Sequence, residues 1–121
     1  MSSGKGHYSP ATRFGDLIFV SGQLPLNEEG AHDPAAPFEL QVKRVFKRLF
    51  AVLEANGANK DSLLKVNVYL DTIALWEEFN PQYAGIMGEA RPARTVVAAP
   101  GLHFGYLLEV DAIAHVAKAG A

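Results

Sequence analysis

"RPARTVVAAPGLHFGYLLEVDAIA", residues 91–114, reads as two apolar strands around a Pro-Gly loop. Side chains alternate across an extended chain. On the second strand Leu108, Val110, Ala112 and Ala114 therefore share one face, wholly apolar and small. Leu107, Glu109, Asp111, Ile113 and His115 share the other, which is mixed. The apolar face suits a layer of helices; the mixed face suits water or a subunit interface. On the first strand Arg94, Val96 and Ala98 form one face and Thr95, Val97 and Ala99 the other. A loop centred near Leu102 predicts a hairpin in which Arg94 approaches Glu109. Two readings of that pair stay open. One is a surface ion pair, worth roughly 0–1 kcal/mol. The other is a cleft in which Arg94 grips a substrate carboxylate with two parallel N–H···O bonds. There Glu109, kept ionised by the guanidinium, would hold or activate water.

Upstream, the pattern builds one small domain over residues 1–121. Gly15-Asp16 precedes the short apolar strand 17–20, and a first strand is expected at Tyr8-Ser9. Residues 25–37 are rich in Pro, Gly, Asn, Asp and Glu and read as a loop. Phe38, Val42, Val45, Phe46, Leu49 and Leu53 then recur at spacings of three and four, the stripe of an amphipathic helix that stops at Asn56-Gly57. Lys43, Arg44, Lys47 and Arg48 fill its other side and read as a solvated face. Leu63 to Leu70 is a strand. Asp71 or Thr72 can cap a second helix carrying Leu75, Trp76, Phe79, Tyr83, Ile86 and Met87. Pro81 predicts a kink or restart there, and Trp76 a core or interface anchor. The order β-β-α-β-α-β-β implies an α+β fold, one sheet with two helices packed on one face. A chain this short has no third layer for the opposite face, so self-association is expected.

Composition narrows the chemistry. The formal net charge is −2, with no basic field for nucleic acid. No apolar run approaches the roughly 20 residues that cross a bilayer, and the N-terminal residues lack a signal-peptide core; a cytoplasmic protein is expected. With no cysteine, thiolate nucleophiles and cysteine–zinc sites are excluded. His7, His32, His103 and His115 lack metal-ligand spacing, and no glycine-rich phosphate loop occurs. Neither a metal nor an organic cofactor is expected.

An ordered set of short motifs adds to this. Gly6-His7-Tyr8-Ser9, Val20-Ser21-Gly22-Gln23-Leu24-Pro25, Lys65-Val66-Asn67-Val68-Tyr69-Leu70, Asn80-Pro81-Gln82-Tyr83, Pro92-Ala93-Arg94-Thr95 and Glu109-Val110-Asp111-Ala112-Ile113-Ala114 stand in sequence order over residues 6–116. In this the chain resembles the RidA family of imine deaminases, also called the YjgF family. The resemblance implies a chorismate-mutase-like α+β subunit and a homotrimer whose sheets face one another around a central β-barrel. It implies hydrolysis of a small-molecule 2-imino or 2-enamino acid to a 2-keto acid and ammonia, in clefts between subunits. Arg94 aligns with the family's carboxylate-binding arginine and Glu109 with its water-positioning glutamate. Tyr8 and Asn80 align with site side chains; Gly22 and Val96 align with positions whose backbone faces the ligand. From the residues alone, Tyr8 also suits interface packing, Asn80 a helix cap before Pro81, and Asp111 a structural role.

The chain departs from the family pattern at His7, Pro10 and Ala98, and most in the last loop. There Leu102-His103-Phe104-Gly105 replaces Leu-Pro-Lys-Gly. A preference for larger or aromatic substrates is the expectation. Two alternatives stand beside the deaminase. One is a non-catalytic module binding small carboxylates. The other is an endoribonuclease or translation-inhibitor role, against which the acidic chain without a basic-aromatic surface argues.

Overall fold

The computed structural model describes residues 6–117. In chain order the main elements are β1 (Ala11–Phe14), β2 (Leu17–Gln23), α1 (Phe38–Ala55), β3 (Leu63–Leu70), α2 (Trp76–Met87), β4 (Ala93–Ala98) and β5 (Leu108–His115). The strands form one sheet in the order β1-β2-β5-β3-β4. The helices pack on one face of it, as the order of elements predicts.

The first strand is not Tyr8-Ser9 but Ala11–Phe14. Phe14 pairs with Leu17 across the two-residue turn Gly15-Asp16, and Gly15 supplies a positive φ of 61°. A two-residue hairpin turn needs that backbone, so the turn sets where β1 ends. The α1 stripe is buried as the spacing predicts, together with Gln41. The four basic residues of α1 are not all solvated. Arg44 is largely buried and bonds Asp33 at 3.0 Å and Glu28 at 3.3 Å, tying the preceding loop to the helix.

The expected hairpin between the last two strands is absent. β4 pairs in parallel with β3, Arg94 opposite Val66, while β5 lies antiparallel on the other side of β3. Parallel neighbours need a crossover, usually a helix, and α2 supplies it between β3 and β4. Thr72 caps a short 3-10 turn, Ile73–Leu75, ahead of that helix. α2 then runs unbroken through Pro81. Pro81 is exposed, as is Glu77, the residue four positions earlier whose carbonyl loses its partner, so water can serve that carbonyl. Trp76 lies outside the core, 41% exposed.

Ile18, Val20, Val66, Val68, Leu70, Leu108, Val110, Ala112 and Ala114 form the sheet's side of the core against the α1 stripe, Phe79, Tyr83 and Met87. The described residues leave the opposite face uncovered. Phe14, Leu17, Phe19 and Val97 stand exposed on it beside the polar side chains of β3 and β5.

Candidate functional site

Glu109 opens β5 on the uncovered face, directly opposite Tyr69 of β3. It is half-buried, and among the described residues no hydrogen-bond donor reaches its carboxylate. Burial pushes its carboxyl above the usual range; His103 opposes the shift and Asp111 adds to it. Asp111, two residues on, is fully engaged. Tyr69 Oη donates to its Oδ2 at 2.9 Å and Asn67 Nδ2 to its Oδ1 at 2.8 Å. That bond to Asp111, with burial, raises the Tyr69 phenol. Asp111 is thus a structural acceptor, while the neighbouring carboxylate remains open to a ligand or water.

β2 closes one side of Glu109. Its register against β5 slips between Val20 and Gln23, and Gly22 lies in that bulge. A β-carbon on Gly22 would collide with Glu109 Oε2, so glycine here lets the carboxylate approach the backbone closely and does not serve a turn. Ser21 holds the incoming chain beside the bulge: its Oγ donates to Ser9 O at 2.7 Å and its N–H to Pro10 O at 3.0 Å. Tyr8, one residue earlier, is 65% exposed, with its ring lying over Gly6.

Arg94 sits on the other face. It shares the helix-covered side of β4 with Val96, and α2 orients it. Its Nη1 donates to Asn80 Oδ1 at 2.9 Å, and its Cζ lies 4.9 Å from the centroid of the Tyr83 ring. Asn80 is therefore an interior helix residue that aims a guanidinium, not a cap for a restarted helix. The Tyr83 hydroxyl is buried without a partner among the described residues; burial raises its phenol and Arg94 opposes that. Arg94 itself is exposed and makes no ion pair with any described carboxylate. β4 is an edge strand. Ala99 N–H donates inward to Leu70 O at 2.7 Å, so alternation turns the backbone groups of Arg94 and Val96 to the open edge.

The predicted residues thus fall into two groups. Glu109 and Gly22 meet on one face; Arg94, Asn80 and Val96 meet at the sheet edge. A single chain does not bring Arg94 to Glu109, which rules out a surface ion pair within the chain, one of the two readings of these residues. His103 was singled out only within the divergent last loop, and the buttresses Asn67 and Tyr69 were not among the predicted site residues. The alternation of β3 could have found the last two, since it puts Asn67 and Tyr69 on the face of Asp111 and Glu109. Among the described residues no three acidic or histidine side chains cluster as a metal site, and no helix is long and apolar enough to cross a membrane.

Comparison with known proteins agrees with this fold. The family model described as Endoribonuclease L-PSP matches residues 2–116. A RutC family protein of Pyrococcus abyssi is 36% identical over 110 residues, covering 91% of this chain and 87% of the relative. The crystal structure of RidA from an Antarctic Psychrobacter superposes with a TM-score of 0.86 at 28% identity, covering 93% of this chain and 90% of that one. The YjgF gene product of E. coli gives 0.84 at 26% identity, covering 92% and 89%. With its ordered motifs, its two-helix sheet and these matches along nearly its whole length, the chain belongs to the Endoribonuclease L-PSP family, the group that includes RidA and YjgF.

Proposed function

We propose that the chain hydrolyses 2-imino and 2-enamino acids to 2-keto acids and ammonia, in clefts shared between copies of itself. The observation that carries this reading is the division of the site. An aimed, unpaired guanidinium stands at the sheet edge. A half-buried carboxylate with no donor stands on the opposite, uncovered face. Each lacks what a second copy offers. A homotrimer closed around the uncovered faces, with the exposed Phe14, Leu17, Phe19 and Val97 turned inward, sets Arg94 of one copy against Glu109 and Gly22 of the next. Closed cyclic symmetry gives each copy the same two half-sites.

In such a cleft Arg94 binds the substrate carboxylate through its free N–H edge, and the open backbone of Val96 adds a hydrogen bond. Tyr8, carried beside the Gly22 bulge, lines the same cleft. A protonated imine is already an electrophile, so orientation and one placed water supply most of the remaining demand. Water oxygen adds to C2 while Glu109 takes its proton. The carbinolamine nitrogen then receives that proton from Glu109, and ammonia leaves as the C2–N bond breaks while the regenerated Glu109 carboxylate takes the hydroxyl proton and the carbonyl forms. A carboxyl raised by burial suits both halves of that exchange.

The test is a coupled assay in which an amino-acid oxidase generates the imine in situ and imine loss is followed. Acceleration over buffer that disappears in Arg94→Ala and Glu109→Ala is expected. If wild type gives no acceleration yet binds 2-keto acids through Arg94, the deaminase reading gives way to a carboxylate-binding module.

A further inference from the structure

Arg44, Lys47, Arg48 and Val52 stand at spacings of three and four, which puts them on one side of α1. With Leu26 and Glu28 of the loop after β2 they line a cleft of about 280 Å³. Gln23 lines it as well, from the helix-covered side of β2 opposite Val110, whereas Gly22 meets Glu109 on the other face. The cleft is therefore distinct from the site that Glu109 and Arg94 divide. Its loop wall is fixed. Asn27 N–H donates to Ala31 O and Gly30 N–H to Asn27 O, both at 2.9 Å, and Asn27 Oδ1 accepts the N–H of Glu29 at 3.0 Å and of Ala31 at 2.9 Å.

One edge of Arg44 sets the chemistry. The side chain is only 12% exposed, and two carboxylates reach it. Asp33 accepts from Nη1 at 3.0 Å and is itself anchored, its N–H donating at 3.0 Å to the hydroxyl of the fully buried Tyr106. Glu28 accepts from Nη2 at a longer 3.3 Å, from a side chain 56% exposed. Nε shares that edge of the guanidinium with Nη2; it is buried and has no acceptor among the described residues. The two parallel N–H groups of such an edge match both oxygens of one carboxylate. Glu28 thus satisfies half of a two-point edge. Lys47 and Arg48, beside it, make no ion pair among the described residues.

We propose that this cleft is a second ligand site, which binds a small aliphatic carboxylate. The ligand displaces Glu28, takes Nε and Nη2 of Arg44 with its two oxygens, and draws on the charges of Lys47 and Arg48. Its tail packs on Leu26 and Val52. The volume lies below the roughly 300–1,000 Å³ of sites for drug-sized molecules, which limits the tail to a few carbons. Nothing in this depends on the deaminase reading.

The experiment titrates butanoate, its neutral counterpart butanamide, and inorganic phosphate into the full chain. It is done in the Arg94→Ala background, so that the other arginine site does not contribute. The methyl resonances of Leu26 and Val52 are followed, with molecular mass from light scattering. Butanoate should shift both residues saturably, and butanamide should not. Arg44→Lys, which keeps the charge but not the two-point edge, should weaken binding by about tenfold or more, and Arg48→Ala by less. Glu28→Ala should tighten it about two- to fivefold, the worth of a partly exposed ion pair. Unmoved methyls, or equal shifts with butanamide, overturn the inference. Phosphate binding as tightly as butanoate overturns the carboxylate assignment, and unchanged affinity in Glu28→Ala overturns the displacement. Should Arg44→Lys fail to fold, Arg48→Ala and Glu28→Ala still decide the matter. A fall in mass in Arg48→Ala would mark the cleft as a contact between copies and overturn the proposal too.

Discussion

On the helix-covered face, Val66, Val68 and Leu70 of β3 are fully buried beside Leu108, Val110 and Ala112 of β5. On the opposite face the same two strands carry Lys65, Asn67, Tyr69, Glu109 and Asp111, none of them fully buried. The covered face packs within the chain, with the Tyr83 hydroxyl left without a partner among the described residues. The other satisfies Asp111 twice and leaves Glu109 without a donor. Arg94 belongs to the covered face by register but escapes it at the edge, because β4 has no neighbour beyond it. Stability therefore concentrates on one face, and unfilled chemical capacity on the other face and at the edge.

The sharpest way to break that contrast is to remove its two functional ends. Glu109→Ala should lower kcat by about 10²–10⁴, the range for a lost general acid–base group. Arg94→Ala should raise KM for the imino acid by about 10–100-fold, as lost charge-assisted hydrogen bonds do. Mixing the two impaired variants after dissociation, assayed at substrate well below KM where both are nearly silent, tests the division between copies. With random mixing about three-quarters of trimers are mixed and each holds one intact cleft, so about a quarter of wild-type activity should return. A site contained within one chain would recover nothing.

Next in size is a change on the covered face. Gln41 is fully buried; its Nε2 donates to Pro34 O at 3.1 Å and Ala36 O at 2.9 Å, and its Oε1 accepts Leu107 N–H at 2.9 Å. Gln41→Leu should destabilise by about 2–4 kcal/mol in denaturant titration, because three backbone groups lose their partner. Activity per folded molecule should change little by comparison.

Gly22→Ala should show the opposite balance. The atom it would displace is the end of a flexible side chain, so stability should fall by less than about 1 kcal/mol. The same displacement moves the carboxylate, and kcat should fall about 10- to 100-fold, the cost of misplacing a catalytic group by about an ångström. Equal losses in both measurements would erase the distinction between the two faces.

The smallest effect is a pH dependence. A carboxyl raised in the folded state contributes stability that is fully present below its unfolded pKa and lost as pH rises through its folded value. Glu109→Gln should therefore melt slightly higher than wild type at neutral pH. The gap should close as pH falls below the ordinary glutamate range. The acid limb of the wild-type kcat/KM profile should lie above that range too.

Much of the scaffold was legible because each element carried one unmixed period. The Phe38 to Leu53 stripe and the alternation of Leu108 to Ala114 placed α1, β5 and the helix-covered face. The pairing of β4 was misread because two strands joined by a short loop suggest a hairpin. The better signal was the preceding β3–helix–β4 order, which calls for a parallel crossover. Arg94 and Glu109 could be singled out as charges inside apolar strands. Their placement on opposite faces could not, since it depends on β3 lying between them. Gly22's role depended on a register slip that no single strand encodes. The aim of Arg94 came from Asn80 and Tyr83, which meet it only once α2 has crossed the sheet.

Gln41 and Tyr106 have a consequence for the timing of structural opening. The N–H of Leu107 ends on a helix side chain, and that of Asp33 on a phenol carried 73 residues later. Neither amide belongs to a strand ladder, and the loop holding Asp33 has no regular structure of its own. Both bonds break only when α1, that loop and the approach to β5 separate. Local fraying leaves them intact, so their hydrogen exchange should follow the slow opening of the central sheet rather than the fast motion of a surface loop.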